Sequence, residues 1–94
     1  MIRIVKMSFI PERIPAFREL FKTVKHKIEG VEGCQKVDLV QSSDDESTLM
    51  TISHWTGPEA LEAYRQSDLF KSTWAKTKIH FNDKPEAWSV NIIE

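Results

Sequence analysis

Few side chains in this sequence can move a proton near neutral pH: three histidines, one tyrosine and one cysteine among 94 residues. Histidine is the natural general base there, because its ordinary pKa lies close to working pH. His26 falls in a Lys-rich run with Lys22, Lys25 and Lys27 and reads as solvated. His80 follows Lys78 and Ile79 near a helix end, where positive charge complements the helix dipole. His54 differs. It stands two and four residues after Ile52 and Met50 in a strand-like stretch, so the three share one face. If that face meets helices, His54 lines a pocket; if it meets another sheet, His54 is structural. Lys6 raises the same question of face and is either an oxyanion partner or an edge charge. Tyr64, on the inner face of a helical pattern, either positions or deprotonates a phenolic substrate, or packs in the core with its hydroxyl on a backbone group. Trp74 is either packing or a flat wall for an aromatic ligand.

Other chemistries find no support. The histidines are far apart, with no His-x-x-x-His or Cys-x-x-Cys spacing, so no metal set is expected. Three glycines make no phosphate-binding loop. Cys34 stands alone, cannot form an internal disulfide, and reads as a small buried hydrophobe suited to a reducing compartment. Thirteen basic against fourteen acidic residues give a net charge of -1, which demotes nucleic-acid binding. No apolar run approaches the roughly 18 residues of a membrane span, and the first residues, with Arg3 and Lys6 among them, carry no signal-like stretch. A single soluble, cytoplasmic domain over residues 1–94 is expected, with no nucleic-acid or membrane partner.

The elements that must position these residues follow from periodicity. Residues 2–10 are β-branched and apolar and stop at Pro11, which predicts a strand. Ile14, Phe17, Phe21, Val24 and Ile28, with Leu20 beside them, make one face of an amphipathic helix that Gly30 ends. Residues 34–41 and 48–55 read as strands around the polar turn 42–47. Val37-Asp38-Leu39-Val40 disturbs the alternation of the first, where a bulge or change of face is expected. Thr56-Gly57-Pro58-Glu59 starts a helix, and Ser67-Asp68 ends it and caps another, carrying Phe70, Trp74 and Ile79 to about residue 80. Residues 86–93 form a last strand. The order is β-α-β-β-α-β with a two-part second helix: an α+β, ferredoxin-like, four-stranded antiparallel sheet with helices on one face.

That plan leaves one face in want of a partner. Ile4, Val5, Met7 and Phe9, then Leu49, Met50 and Ile52, then Trp88, Val90, Ile92 and Ile93 put apolar groups on both strand parities. Helices of the same chain can cover only one face, so a homodimer packed sheet to sheet is expected. Trp55 and Trp88 read as core or interface anchors.

The segment from His54 to Phe70 resembles the antibiotic biosynthesis monooxygenase family of the dimeric α+β barrels: an aromatic ends the strand, a cap and Ala60-Leu61 follow, then Tyr64 and Ser67-x-x-Phe70. Gly33-Cys34 is similar to that family's Pro-Gly-Cys lead-in to the second strand, with Glu32 in place of the proline. The resemblance implies a homodimer with a pocket between sheet and helices in each subunit. It also implies oxidation of a small aromatic or quinol by O₂ without metal or flavin, the substrate carbanion itself meeting the oxygen. His54 and Tyr64 are then the candidate catalytic residues, Lys6 and Trp74 the candidate pocket residues, and no cofactor is needed. The family's haem-degrading branch uses Asn, Trp and His where this chain has about Lys6, Tyr64 and Trp74, so haem breakdown by that route is not expected. The alternative is a non-catalytic, small-molecule-binding or stress-associated dimer of the same fold.

Overall fold

In the computed structural model, which describes all 94 residues, the elements follow the expected order, with some ends shifted. β1 covers Ile2–Ser8, and Pro11 opens a short 3-10 turn, Pro11–Arg13, that runs into α1, Ile14–Glu29. Phe17, Phe21, Val24 and Ile28 are its buried stripe. β2 (Cys34–Gln41) and β3 (Thr48–Trp55) form the hairpin, followed by α2 (Pro58–Arg65), α3 (Asp68–Lys78) and β4 (Glu86–Val90). Ser67 divides the second helix as its composition suggests. Its hydroxyl accepts the Phe70 N–H at 3.2 Å and donates to the Tyr64 carbonyl at 2.6 Å, closing one helix and capping the next.

All strand pairs are antiparallel, in the order β2-β3-β1-β4. The fold is α+β and ferredoxin-like, with one helical layer on one face of the sheet. Its extents, 35 × 33 × 20 Å, are those of a two-layer slab. No helix is long and apolar enough to cross a membrane.

The pleat assigns the faces. Arg3, Val5 and Met7 of β1 stand beside Ser53, Thr51 and Leu49 of β3, and this row faces the helices. Ile2, Ile4 and Lys6, paired with His54, Ile52 and Met50, occupy the opposite face. On the inner face Met7, Phe9, Val37, Leu49 and Trp55 are buried to 3% exposure or less. Every Phe, Tyr and Trp except Trp88 joins one unbroken run of ring contacts: Phe21, Phe17, Phe9, Phe81, Trp74, Phe70, Tyr64, Trp55. Its centroid spacings lie between 4.6 and 6.3 Å, and each such pair adds about 0.5–1.5 kcal/mol beyond the area it buries. The outer face has no such cover. Val40, Trp88 and Val90 are 38%, 43% and 39% exposed, and the chain's accessible surface, 6132 Å², exceeds the roughly 5,600 Å² usual for a monomer of this mass.

Three expectations are corrected. The irregularity in β2 lies between Cys34 and Lys36, at the strand's start. There Glu29 at the end of α1 accepts the Val37 N–H at 3.1 Å. Val37 to Val40 alternate normally, and Val40 is apolar because it belongs to the uncovered face. β4 stops at Val90 rather than residue 93, because Val90 is already paired with Ile2 and β1 offers no further partner. Ile79 follows the last helical residue and is 60% exposed, so it does not extend the apolar side of α3.

One backbone position holds the α1–β2 corner against α2. Gly33 has φ of +84°, and a Cβ there would overlap the Ala60 methyl and lie 2.9 Å from Thr56 Oγ1. Its carbonyl accepts the Thr56 N–H at 2.8 Å. Gly33→Ala therefore suffers both left-handed strain and a clash that α2 must move to relieve. A loss of about 2–4 kcal/mol is expected in urea unfolding, whereas Gly30→Ala, which meets only ordinary contacts, should change stability by less than about 1 kcal/mol.

Candidate functional site

Between the helical layer and the inner sheet face lies a cavity of about 300 Å³, the size of a small-molecule site. α1 supplies Phe17, Leu20, Phe21, Val24 and Ile28 to its wall; α2 and α3 supply Leu61, Tyr64, Phe70 and Trp74. Val5, Val37 and Trp55 form its apolar floor. The strand pleat and the helical stripe that build the core thus also build the cavity, so its lining is mostly aromatic and aliphatic. Polar groups are sparse: Arg3, Thr51 and Ser53 on the sheet, and Arg65, Thr73 and Thr77 on the helices. Pro85, Glu86 and Ala87 complete it along β4, whose residues are exposed throughout.

Most of the buried polar lining is already satisfied. Ser53 Oγ accepts from Trp55 Nε1 at 2.9 Å, and Thr77 Oγ1 donates to the Thr73 carbonyl at 2.7 Å. The Tyr64 phenol is different. Its ring is wedged between Trp55 and Phe70 at 5.2 and 5.3 Å. Its hydroxyl is not among the buried atoms lacking a partner, and only the residue's carbonyl enters a side-chain hydrogen bond, so the phenol keeps accessible surface. Burial, and secondarily the Cys34 thiolate charge, push its pKa up to about 12. At neutral pH Tyr64 is therefore a neutral hydrogen-bond donor and not a phenolate base. Burial first, then the neighbouring Glu29, push the Cys34 thiol up, against the pull of the Lys36 backbone. That leaves Cys34 a poor nucleophile.

The four residues singled out from sequence separate into two pairs. Tyr64 and Trp74 line the cavity together with Phe70, which contacts both rings. Lys6 and His54 are absent from its wall: the pleat turns both to the outer face, beside Met50 and Ile2 respectively. Lys6 lies 4.0 Å from Glu86 across the β1–β4 pair. His26 is exposed on α1, and His80 is set apart from the cavity with Nδ1 buried and unpartnered.

Arg3 and Arg65 escaped the sequence reading. Arg3 is two and four residues before Val5 and Met7, so strand parity alone places it on their face. Its guanidinium donates to Ser89 Oγ at 3.1 Å. Burial, then the like charge of Arg65, hold its pKa below the ordinary arginine value.

Comparison with known proteins agrees with this architecture. The chain superposes on a candidate antibiotic biosynthesis monooxygenase from Caulobacter crescentus with a TM-score of 0.90 at 18% identity, covering 99% of this chain and 89% of the other. A conserved protein from Methanosarcina mazei Go1 gives 0.85 at 24% identity, over 92% and 86% of the two chains. Rv0793 from Mycobacterium tuberculosis gives 0.88 at 18%, over 99% and 94%. At these identities the likeness is one of fold. No curated protein matches the chain. The family model for antibiotic biosynthesis monooxygenase matches residues 1–76, which hold both hairpin strands, Tyr64 and Trp74, and the chain belongs to that family.

Proposed function

We propose that the protein is a homodimeric, cofactor-independent monooxygenase acting on a small phenol or quinol bound in the cavity between sheet and helices. The observation that carries this reading is the Tyr64 phenol, neutral and without an intramolecular partner, on the wall of an otherwise apolar, aromatic cavity. In such a reaction the substrate loses a proton from carbon and its carbanion gives electrons to O₂. One oxygen atom stays on that carbon as a carbonyl and the other leaves as water, so the substrate supplies every electron needed. The chain's part is to hold a flat ring in a dry space and to stabilise developing oxyanion charge. Tyr64 suits the second task as a donor, and Trp74 and Phe70 suit the first. His54 and Lys6, on the outer face, take no direct part in this scheme.

A binding protein without turnover is the second reading. What favours it is the absence of an imidazole from the cavity wall, together with the engagement of its one carboxylate residue, Glu86, by Lys6. An oxygen-uptake assay over a panel of hydroquinones and anthrones separates the two. Uptake above background is expected, falling about 100–1000-fold in Tyr64→Phe with ligand-induced thermal stabilisation retained. A rise in melting temperature with no uptake by wild type supports the binding reading instead.

The dimer rests on the outer face, where Ile4 stands between Ile52 and Trp88, and Ile2 beside Val90. Covering roughly 600–800 Å² per subunit at about 25 cal/mol per Å² offers on the order of 15–20 kcal/mol before association costs. A two-fold axis needs only this one patch. Light scattering at micromolar concentration should give close to twice 10.9 kDa, and Ile4→Lys should give a folded monomer. A monomeric wild type refutes the interface.

Tyr64 also sets a pH signature. The unfolded chain ionises its tyrosine near 10, the folded chain near 12, so unfolding releases a proton between these values. Stability is then insensitive to this group below pH 10 and falls as pH rises from 10 to 12, by on the order of 2–3 kcal/mol. Urea unfolding of wild type minus Tyr64→Phe should isolate that slope. Parallel curves for the two proteins contradict it.

A further inference from the structure

We propose that Arg3 and Arg65 make one end of the cavity an anion-binding subsite, so that the preferred ligand is a flat aromatic monocarboxylate. The proposal rests on the cavity reading above and specifies what the cavity selects.

Arg3 is unlike the other cations of the chain. Lys6 and Lys25, which like it are partly buried, each have a carboxylate within 4.0 Å, Glu86 and Asp38 respectively. Every remaining lysine or arginine is exposed. Arg3 alone is partly buried with no carboxylate partner, and its one recorded side-chain hydrogen bond goes to a neutral hydroxyl, Ser89 Oγ. A guanidinium partly withdrawn from water without a counter-charge bears part of the cost of desolvation, and here a second cation sits within its field and on the same cavity wall. Arg65 is half-exposed and is matched by Glu62 at 3.3 Å. Glu86, the wall's own carboxylate, is matched in turn by Lys6 at 4.0 Å, so three cations face two carboxylates and a single positive charge is left uncompensated. That matches a monoanion rather than a phosphate dianion.

The shape of the ligand follows from the rest of the wall. Beyond the arginines the lining is mostly ring faces and aliphatic chains, and of its few hydroxyls Ser53 and Thr77 are engaged internally. A guanidinium fork meets a carboxylate with two parallel hydrogen bonds, and a ring attached to that carboxylate extends into the apolar part. A neutral ring of equal size fills the same space and leaves Arg3 as it is now.

The test compares 2-naphthoate with its neutral isostere 2-naphthamide by isothermal titration calorimetry near pH 7, on wild type, Arg3→Gln and Arg65→Gln. Wild type should bind the carboxylate about tenfold or more tightly than the amide, as for a charge-assisted hydrogen bond. Arg3→Gln should erase that difference while leaving amide affinity within about twofold. Arg65→Gln, on the exposed rim where folding is not at stake, should narrow it. Amide binding with no preference for the carboxylate, or a preference that survives both substitutions, overturns the subsite and leaves the cavity reading standing. Binding of neither ligand overturns both. Competition by inorganic phosphate stronger than by benzoate overturns the assignment to a monocarboxylate.

Discussion

β1 is the strand from which both halves of the molecule hang. It pairs with β3 along one side and β4 along the other, and its pleat is the dividing plane. Arg3, Val5 and Met7 go to the helices, while Ile2, Ile4 and Lys6 go to the outer face. A shift of its register by one residue would exchange those sets, emptying the core of Met7 and the cavity of Arg3 together. Stability and site geometry are therefore one constraint. The buried inner row, Met7 at 2% exposure and Phe9 fully enclosed, sets the register that the cavity-facing residues inherit.

The helical layer meets that row incompletely, and the shortfall is the cavity. Ser67 breaks the second helix so that α2 lays Tyr64 on Trp55 while α3 directs Phe70 and Trp74 inward. The ring contacts that follow reach Phe81 and then Phe9 on β1. Aromatic side chains with few rotatable bonds and neighbours on both sides cannot readily fold into the space. At the other end of α2, Gly33 lets the α1–β2 corner approach Ala60, which fixes the helix carrying Tyr64. The same short helix therefore serves both the packing and the cavity wall.

Element order was legible because the elements are punctuated: Pro11, Gly30, the polar run 42–47, Thr56-Gly57-Pro58 and Ser67. That Tyr64 and Trp74 lie on the apolar sides of their helices was legible too, although the sequence grouped Tyr64 with His54 and Trp74 with Lys6. The side of the sheet occupied by His54 and Lys6 was not. Parity says that His54 goes with Ile52 and Met50, but both parities of β1 and β3 are apolar, so alternation does not say which faces the helices. That is settled only by packing Phe17, Phe21 and Val24 against a particular row. Arg3 was hidden for a related reason: a charge within an apolar strand reads as solvent-facing unless register shows otherwise. The end of β4 at Val90 is likewise a property of its partner strand, invisible in the apolar pattern that continues through Ile92 and Ile93.

The three tryptophans are distributed as if to report on separate events. Trp55 is 1% exposed against Tyr64, Trp74 is partly buried on the cavity wall, and Trp88 is 43% exposed on the outer face, apart from every other ring. Indole emission shifts with the polarity around it. The short-wavelength part of this protein's fluorescence therefore belongs to the side of the cavity, and the long-wavelength part to the side where a second sheet would lie. Occupation of the cavity and coverage of the outer face can thus be followed in one unlabelled sample as two distinct changes of colour.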